Sequence, residues 1–309
     1  RLVKIKSLNG QPVDHLTLID IVAPEKPAGF SGKVDLVAAD LSALGEAEKA
    51  IAQKPDIIFH LAAVVSGEAE TDFEKGYRIN LQGMHLLIEA VRKHGDGYKP
   101  KIIFTSSIAV FGAPFPNAIS DDFNLTPLTS YGTQKAICEL LLADYTRKGF
   151  LDGIGIRLPT IVVRPGKPNQ AASGFFSGII REPLTGQEAV LPVSDDVLHW
   201  FASPRSAINF LIHAASLTSE QLGPRINLTM PGICCTVAEQ IAALKRVAGP
   251  TVAARIRREP DELVTRIVAG WPRRFDTQRA IALGFAAEAS FDDIIRAHIE
   301  DEMGGCFVA

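Results

Sequence analysis

Short apolar runs of Val, Ile, Leu and Phe alternate with longer helical patterns through the first half of the chain. They are LTLIDIV at 16–22, VDLVAADL at 34–41, PDIIFHLAAVV at 55–65, KIIFTSSIAVFG at 101–112 and IGIRLPTIVVR at 154–164. Nearly continuous apolar strands separated by helices, here around 46–53, 73–93 and 131–148, predict a parallel sheet covered on both faces. The expected fold class is α/β, a doubly wound parallel sheet of the Rossmann type.

The chain has 309 residues, more than one domain usually holds. After Arg164 the stretch PGKPNQAASG breaks the alternation, and a strand RINLTMP at 225–231 and a helix near 203–216 are expected to return to the sheet. Residues 1–165 with about 200–231 are therefore assigned to the sheet domain, and 166–199 with 232–309 to a smaller, discontinuous C-terminal lobe.

A net charge of -3 without runs of like charge leaves no footprint for nucleic acid or an anionic membrane surface. The longest apolar runs are too short to span a bilayer, and the N-terminal RLVKIKSLNG lacks the apolar stretch of a secretory signal. Cys138, Cys234, Cys235 and Cys306 show no CxxC spacing, which points to reduced thiols and a cytoplasmic location.

Ligands of open α/β sheets sit beyond the carboxyl ends of the strands. Asp20 ends LTLID, where an acid accepts hydrogen bonds from an adenosine ribose and repels a 2′-phosphate, favouring NAD over NADP. A turn before Pro24 would explain Asp20 equally well. Asp40 and Leu41 end the next run, Ala62 and Ala63 allow close approach of backbone to a ligand, and Thr105, Pro159 and Ile161 complete the strand-end set expected to face the cofactor. His60, inside an apolar run, is read as a core residue. The glycine-rich loop of such sites precedes the acid by about 20 residues. Counting back from Asp20 places it at or before residue 1, so 1–7 is expected to be the tail of the first helix, with the first strand and loop ahead of the given sequence.

The strand at 101–112 carries hydroxyls at its end, and 24 residues beyond Ser107 comes Tyr131, with Lys135 four residues further. Positions i and i+4 share one face of a helix, so the Lys135 ammonium is expected near the Tyr131 phenol. A phenol with pKa about 10 must be lowered to act as a base near neutrality. Lys135, a helix N-terminus and an oxidised nicotinamide are the groups expected to lower it, and Ser107 is the hydroxyl expected to face substrate.

With LTLID, VAAD, FHLAA, the Asn80-x-x-Gly83 spacing, TSSIAVFG, YGTQK and a C-terminal ALGF, the sequence resembles the extended short-chain dehydrogenase/reductase (NAD-dependent epimerase/dehydratase) family from about Leu16 to Gly304. The resemblance implies that Asn80 supports the active-site geometry or a proton path, and that Lys135 also holds the nicotinamide ribose. It implies a homodimer through the helix of Tyr131 and the long helix before it, which Ile137, Leu140, Leu141 and Leu142 permit.

The family includes epimerases, dehydratases and dehydrogenases, so local residues must choose. Ile108 and Ala109 follow Ser107 where dehydratases carry acids, and RLPTIVVRPGKPN differs from the RYFN and GP of nucleotide-sugar epimerases. HLAAVVSG is similar to the stretch in which short-chain L-threonine dehydrogenases contact substrate through a serine, here Ser66. VVSGEAE, TSYGTQKAICELLL and HWFASPRSA resemble members that oxidise the carbon-2 hydroxyl of a small sugar acid, taking D-erythronate to 2-oxo-erythronate. Tyr131 is then the base and Ser107 the donor to the developing carbonyl, without a metal. Arg164 is the expected fork for the carboxylate, and an interlobe salt bridge is the other account of it. His199 is added to the pocket, although packing explains it as well. A sugar-nucleotide 4-epimerase with tightly held NAD and a catalytically silent NAD-binding regulator are the alternatives.

Overall fold

The computed structural model describes residues 1–166 and 173–309; the rest of the PGKPNQAASG stretch lies outside them. Four parallel strands form the central sheet, in the order Asn227–Thr229, Asp152–Leu158, Lys101–Ser107, Ile57–His60. His15–Asp20 and Lys33–Ala38 pair in parallel only with each other. Among the described residues no strand stands between the two groups, where the first strand of a doubly wound sheet belongs. The parallel sense matches the expected class, and the carboxyl ends of the four central strands emerge on one side.

Burial follows from this arrangement. Ile102, Ile103, Phe104, Ile154 and Ile156 are fully buried, as central strands require, whereas neither strand of the separate pair has a buried residue. PDIIFHLAAVV is therefore a strand only over Ile57–His60: Phe104 is the register partner of His60, and the chain then leaves the sheet with Leu61, Ala62 and Ala63 exposed. After Leu2–Ile5, a short helix where a helix tail was expected, the chain turns back through Ser7–Leu8 and Gln11–Pro12.

Among the described residues, the two larger of three apolar clusters organise the chain. One joins the sheet to the helices Gly83–His94, Ser130–Arg147 and Pro204–Ser216, and includes Ala280 and Phe285 from beyond residue 232. The other gathers Gly174–Leu184, Val237–Ala248 and Phe291–Glu302 around Phe176, Leu191 and Phe201. Leu198–Ala202 links them, pairing in parallel with Thr160–Ile161 and antiparallel with Ile233–Thr236.

A buried ion pair locks the Ser130–Arg147 helix to the sheet. Glu139, fully buried, receives Nε and Nη2 of Arg157 at 2.9 and 2.8 Å, and its Oε1 also accepts from Ser106 Oγ at 2.5 Å. Asp121 stands 3.8 Å from Arg157 and 3.6 Å from Arg279. Removing one partner strands the other charge in a low-dielectric interior. Arg157→Leu should cost about 3–5 kcal/mol of unfolding free energy in urea denaturation, and the double variant Glu139→Met/Arg157→Leu should cost less than Arg157→Leu alone.

Candidate active site

Ser107 is the last residue of its strand, and its Oγ accepts from the Ala109 amide at 3.1 Å, which turns the chain into the tight helical turn Ile108–Val110. Thr129 caps the next helix, accepting from the Gly132 amide at 3.0 Å, so Tyr131 enters at its first turn. Gly132 is what lets these pieces meet. A Cβ there would collide with the Ala109 carbonyl, so any larger residue would push the helix N-terminus away from Ser107. Sequence reading passed over this glycine, although it lies inside the YGTQK motif.

Lys135 is 3% exposed, with Nζ donating to the Thr105 carbonyl at 2.8 Å. The ammonium lies 5.6 Å from the centre of the Tyr131 ring and 4.8 Å from that of Phe104. Burial lowers its pKa to about 8, with Cys138 and Glu139 acting in the opposite direction. In the protein without cofactor, burial pushes the Tyr131 phenol up to about 12, and a hydrogen bond from the Ser107 side chain only partly offsets this. In the protein alone, desolvation outweighs the Ser107 hydrogen bond.

Asn80 sits in the π-helical turn Tyr77–Gln82, 2% exposed, its amide paired with both backbone groups of Val64 and with the Gln134 side chain. Thr105 Oγ1 donates to the His60 carbonyl at 3.1 Å, tying neighbouring strand ends together. His60 lies buried beside Phe104, and burial lowers its pKa to about 3.

The remaining candidate residues lie at or just beyond the carboxyl ends of their own strands. Asp20 is exposed and its Oδ1 accepts from the Val22 amide at 3.3 Å. Asp40 caps a turn through Ser42 N at 2.9 Å and pairs with Arg78 at 2.6 Å, so its carboxylate is held below the usual range, first by Ser42 and then by Arg78. Leu41 is half-buried beside it. Ile21, Val22 and Leu61, immediately beyond these strand ends, are 67%, 72% and 53% exposed. Exposed apolar side chains beside the Asp20 carboxylate and beside the small Ala62 and Ala63 have the chemistry that a bound dinucleotide would need. Pro159 is buried and Ile161 half-buried on the opposite flank.

Ser66 opens the helix Ser66–Thr71 directly after Val64 and Val65. Arg164 is half-buried: its guanidinium donates to Ser173 Oγ at 3.4 Å and its amide to Ser177 Oγ at 3.1 Å. Burial and then Arg181 lower its pKa, and among the described residues no carboxylate pairs with it. An interlobe salt bridge is thus not what holds it. His199 is enclosed, 2% exposed, stacked on Phe176 and joined through Nε2 to Thr160 Oγ1 at 2.6 Å. Burial lowers its pKa to about 3, and its ring packs among Phe176, Phe201 and Trp271.

A parallel α/β sheet with Ser107, Tyr131 and Lys135 meeting at its carboxyl edge defines a dinucleotide-dependent enzyme of the short-chain type. Residues 5–200 match the NAD dependent epimerase/dehydratase family, to which the chain belongs, and its cofactor is NAD. A D-erythronate dehydrogenase of Cupriavidus necator is 49% identical over 96% of this chain and 90% of its own length. One from Haemophilus influenzae is 42% identical over 98% of this chain and 96% of its own. A crystal structure titled as a nucleoside-diphosphate-sugar epimerase from Agrobacterium tumefaciens superposes with a TM-score of 0.96, at 65% identity over 98% of this chain and 90% of that one.

The lowered pKa of Lys135 links stability to pH. With the folded value near 8 and the unfolded value at 10.5, the unfolded chain binds more protons between them, so this group's contribution to stability rises with pH across that window. Thermal melts at pH 7, 8 and 9 should show the wild type gaining on Lys135→Met as pH rises.

Proposed function

We propose that the chain is an NAD-dependent dehydrogenase that oxidises the carbon-2 hydroxyl of D-erythronate to the 2-oxo acid. The observation that carries this reading is the Ser107, Tyr131 and Lys135 constellation in a chain 49% and 42% identical, over nearly its whole length, to two D-erythronate dehydrogenases.

Bound NAD supplies the hydride acceptor. Asp20, Asp40, Leu41, Ala62, Ala63, Thr105, Pro159 and Ile161 would hold it, with Lys135 on the nicotinamide ribose. Tyr131 takes the proton of the substrate hydroxyl, and Ser107 donates to the oxygen as it becomes a carbonyl. Because burial holds the Tyr131 phenol up near 12, its ionisation needs a further positive charge at the site, and oxidised NAD held beside it would supply one. Asn80 fixes the geometry behind Lys135. Arg164, desolvated and without a carboxylate partner among the described residues, is assigned to the substrate carboxylate, and Ser66 to a substrate hydroxyl. His199 is better suited to shaping the pocket wall than to touching substrate.

In this reading the first apolar cluster belongs to the cofactor domain and the second to the substrate lobe. Leu140, 65% exposed, and Phe73, 59% exposed, support a homodimer through their two helices, whereas Leu142 is committed to the core and Ile137 and Leu141 are half-buried. No helix among the described residues is long and apolar enough to cross a membrane, and all four cysteines are free, which supports a cytoplasmic setting.

The 65% identity to a structure titled as a sugar-nucleotide epimerase keeps one second reading, which recycles its NAD. Absorbance at the NADH band separates the two. D-erythronate with NAD should give net NADH, and Tyr131→Phe should lower kcat by about 10²–10⁴-fold. Interconversion of a UDP-sugar without net NADH would favour the epimerase.

A further inference from the structure

Gln134 stands beside Lys135 on the catalytic helix and is fully buried, yet the chemistry above does not use it. Its Oε1 accepts from Asn80 Nδ2 at 2.7 Å. Asn80 Oδ1 accepts from the Val64 amide at 2.8 Å, and Nδ2 also donates to the Val64 carbonyl at 3.2 Å. The Val64 amide therefore fixes which way the Asn80 side chain points: turned end for end, it would set NH2 against N–H. Asn80 must present a donor to position 134, and position 134 must supply an acceptor.

Packing holds that acceptor in place. A Cβ on Gly76 would stand 2.7 Å from Gln134 Nε2 and 3.2 Å from Ala69, so the glycine leaves just the room the amide needs. A second tether lies nearby, where Glu70 Oε1 accepts from the Ser130 amide at 2.5 Å, immediately before Tyr131. The segment from Val64 to Glu70, with Ser66 inside it, is thus fastened at both ends to the helix of Tyr131 and Lys135.

We propose that Gln134 is a positioning residue: through Asn80 its amide oxygen sets where the Val64–Ser66 segment stands relative to Tyr131 and Lys135. The consequence for turnover rests on the assignment of Ser66 to substrate; the tether itself does not.

Gln134→Met keeps the length of the side chain and removes the acceptor, whereas Gln134→Glu keeps an acceptor. In the full chain without substrate, Gln134→Met should speed hydrogen exchange of the Val64 amide about tenfold, the effect of one lost buried hydrogen bond. With D-erythronate its KM should rise about tenfold, while NAD affinity and the pH profile of kcat stay close to wild type. Gln134→Glu should recover both toward wild-type values. Unchanged Val64 exchange and KM in Gln134→Met would overturn the proposal, as would a Gln134→Glu variant equally impaired. A lowered melting temperature with unchanged KM would assign Gln134 to folding alone and also overturn it. If the wild type oxidises no sugar acid, the substrate assignment fails, and Val64 exchange alone decides the tether.

Discussion

The registration of one helix against one sheet edge underlies everything at this site. Ser107 ends a strand, whereas Tyr131 and Lys135 ride on the helix Ser130–Arg147, and no covalent constraint brings them together. The buried carboxylate of Glu139 does so, bound at once by the Arg157 fork and by Ser106, the residue before Ser107. Such a pair contributes little net stability after desolvation, but it penalises every other register of helix on sheet. Gly132 supplies the complementary steric condition at the helix N-terminus.

Electrostatics at the site follow from the same burial. A lysine sunk among Phe104, Tyr131 and the Thr105 carbonyl loses proton affinity, and a phenol in the same surroundings holds its proton more tightly. Both shifts run against the pairing of a charged lysine with an ionised phenol in the protein alone.

Much of the fold was legible because strand and helix periodicity is local. Five apolar runs and the helices between them are readable from 4- to 18-residue windows, and the Tyr131 to Lys135 spacing is a property of one helix. Strand ends were harder: HLAAVV continues the apolar run past His60, and only the sheet partner Phe104 reveals where pairing stops. Gln134, Glu139 and Arg157 were passed over because their partners lie 54 and 18 residues away in sequence. The rise in the Tyr131 pKa in the protein alone was not legible for a related reason, since desolvation is a sum over the whole fold. His199 was legible as a pocket candidate only by its neighbours in sequence, whereas its ring is enclosed by Phe176, Phe201 and Trp271.

The central claim is that hydride leaves carbon 2 of a sugar acid for NAD at the site of Tyr131. Its most direct test is to supply D-erythronate deuterated at carbon 2 and to weigh the nicotinamide product by mass spectrometry. The account predicts deuterated NADH accumulating in step with the 2-oxo acid. Unlabelled NADH, or deuterium returned to a sugar with no NADH released, would contradict it.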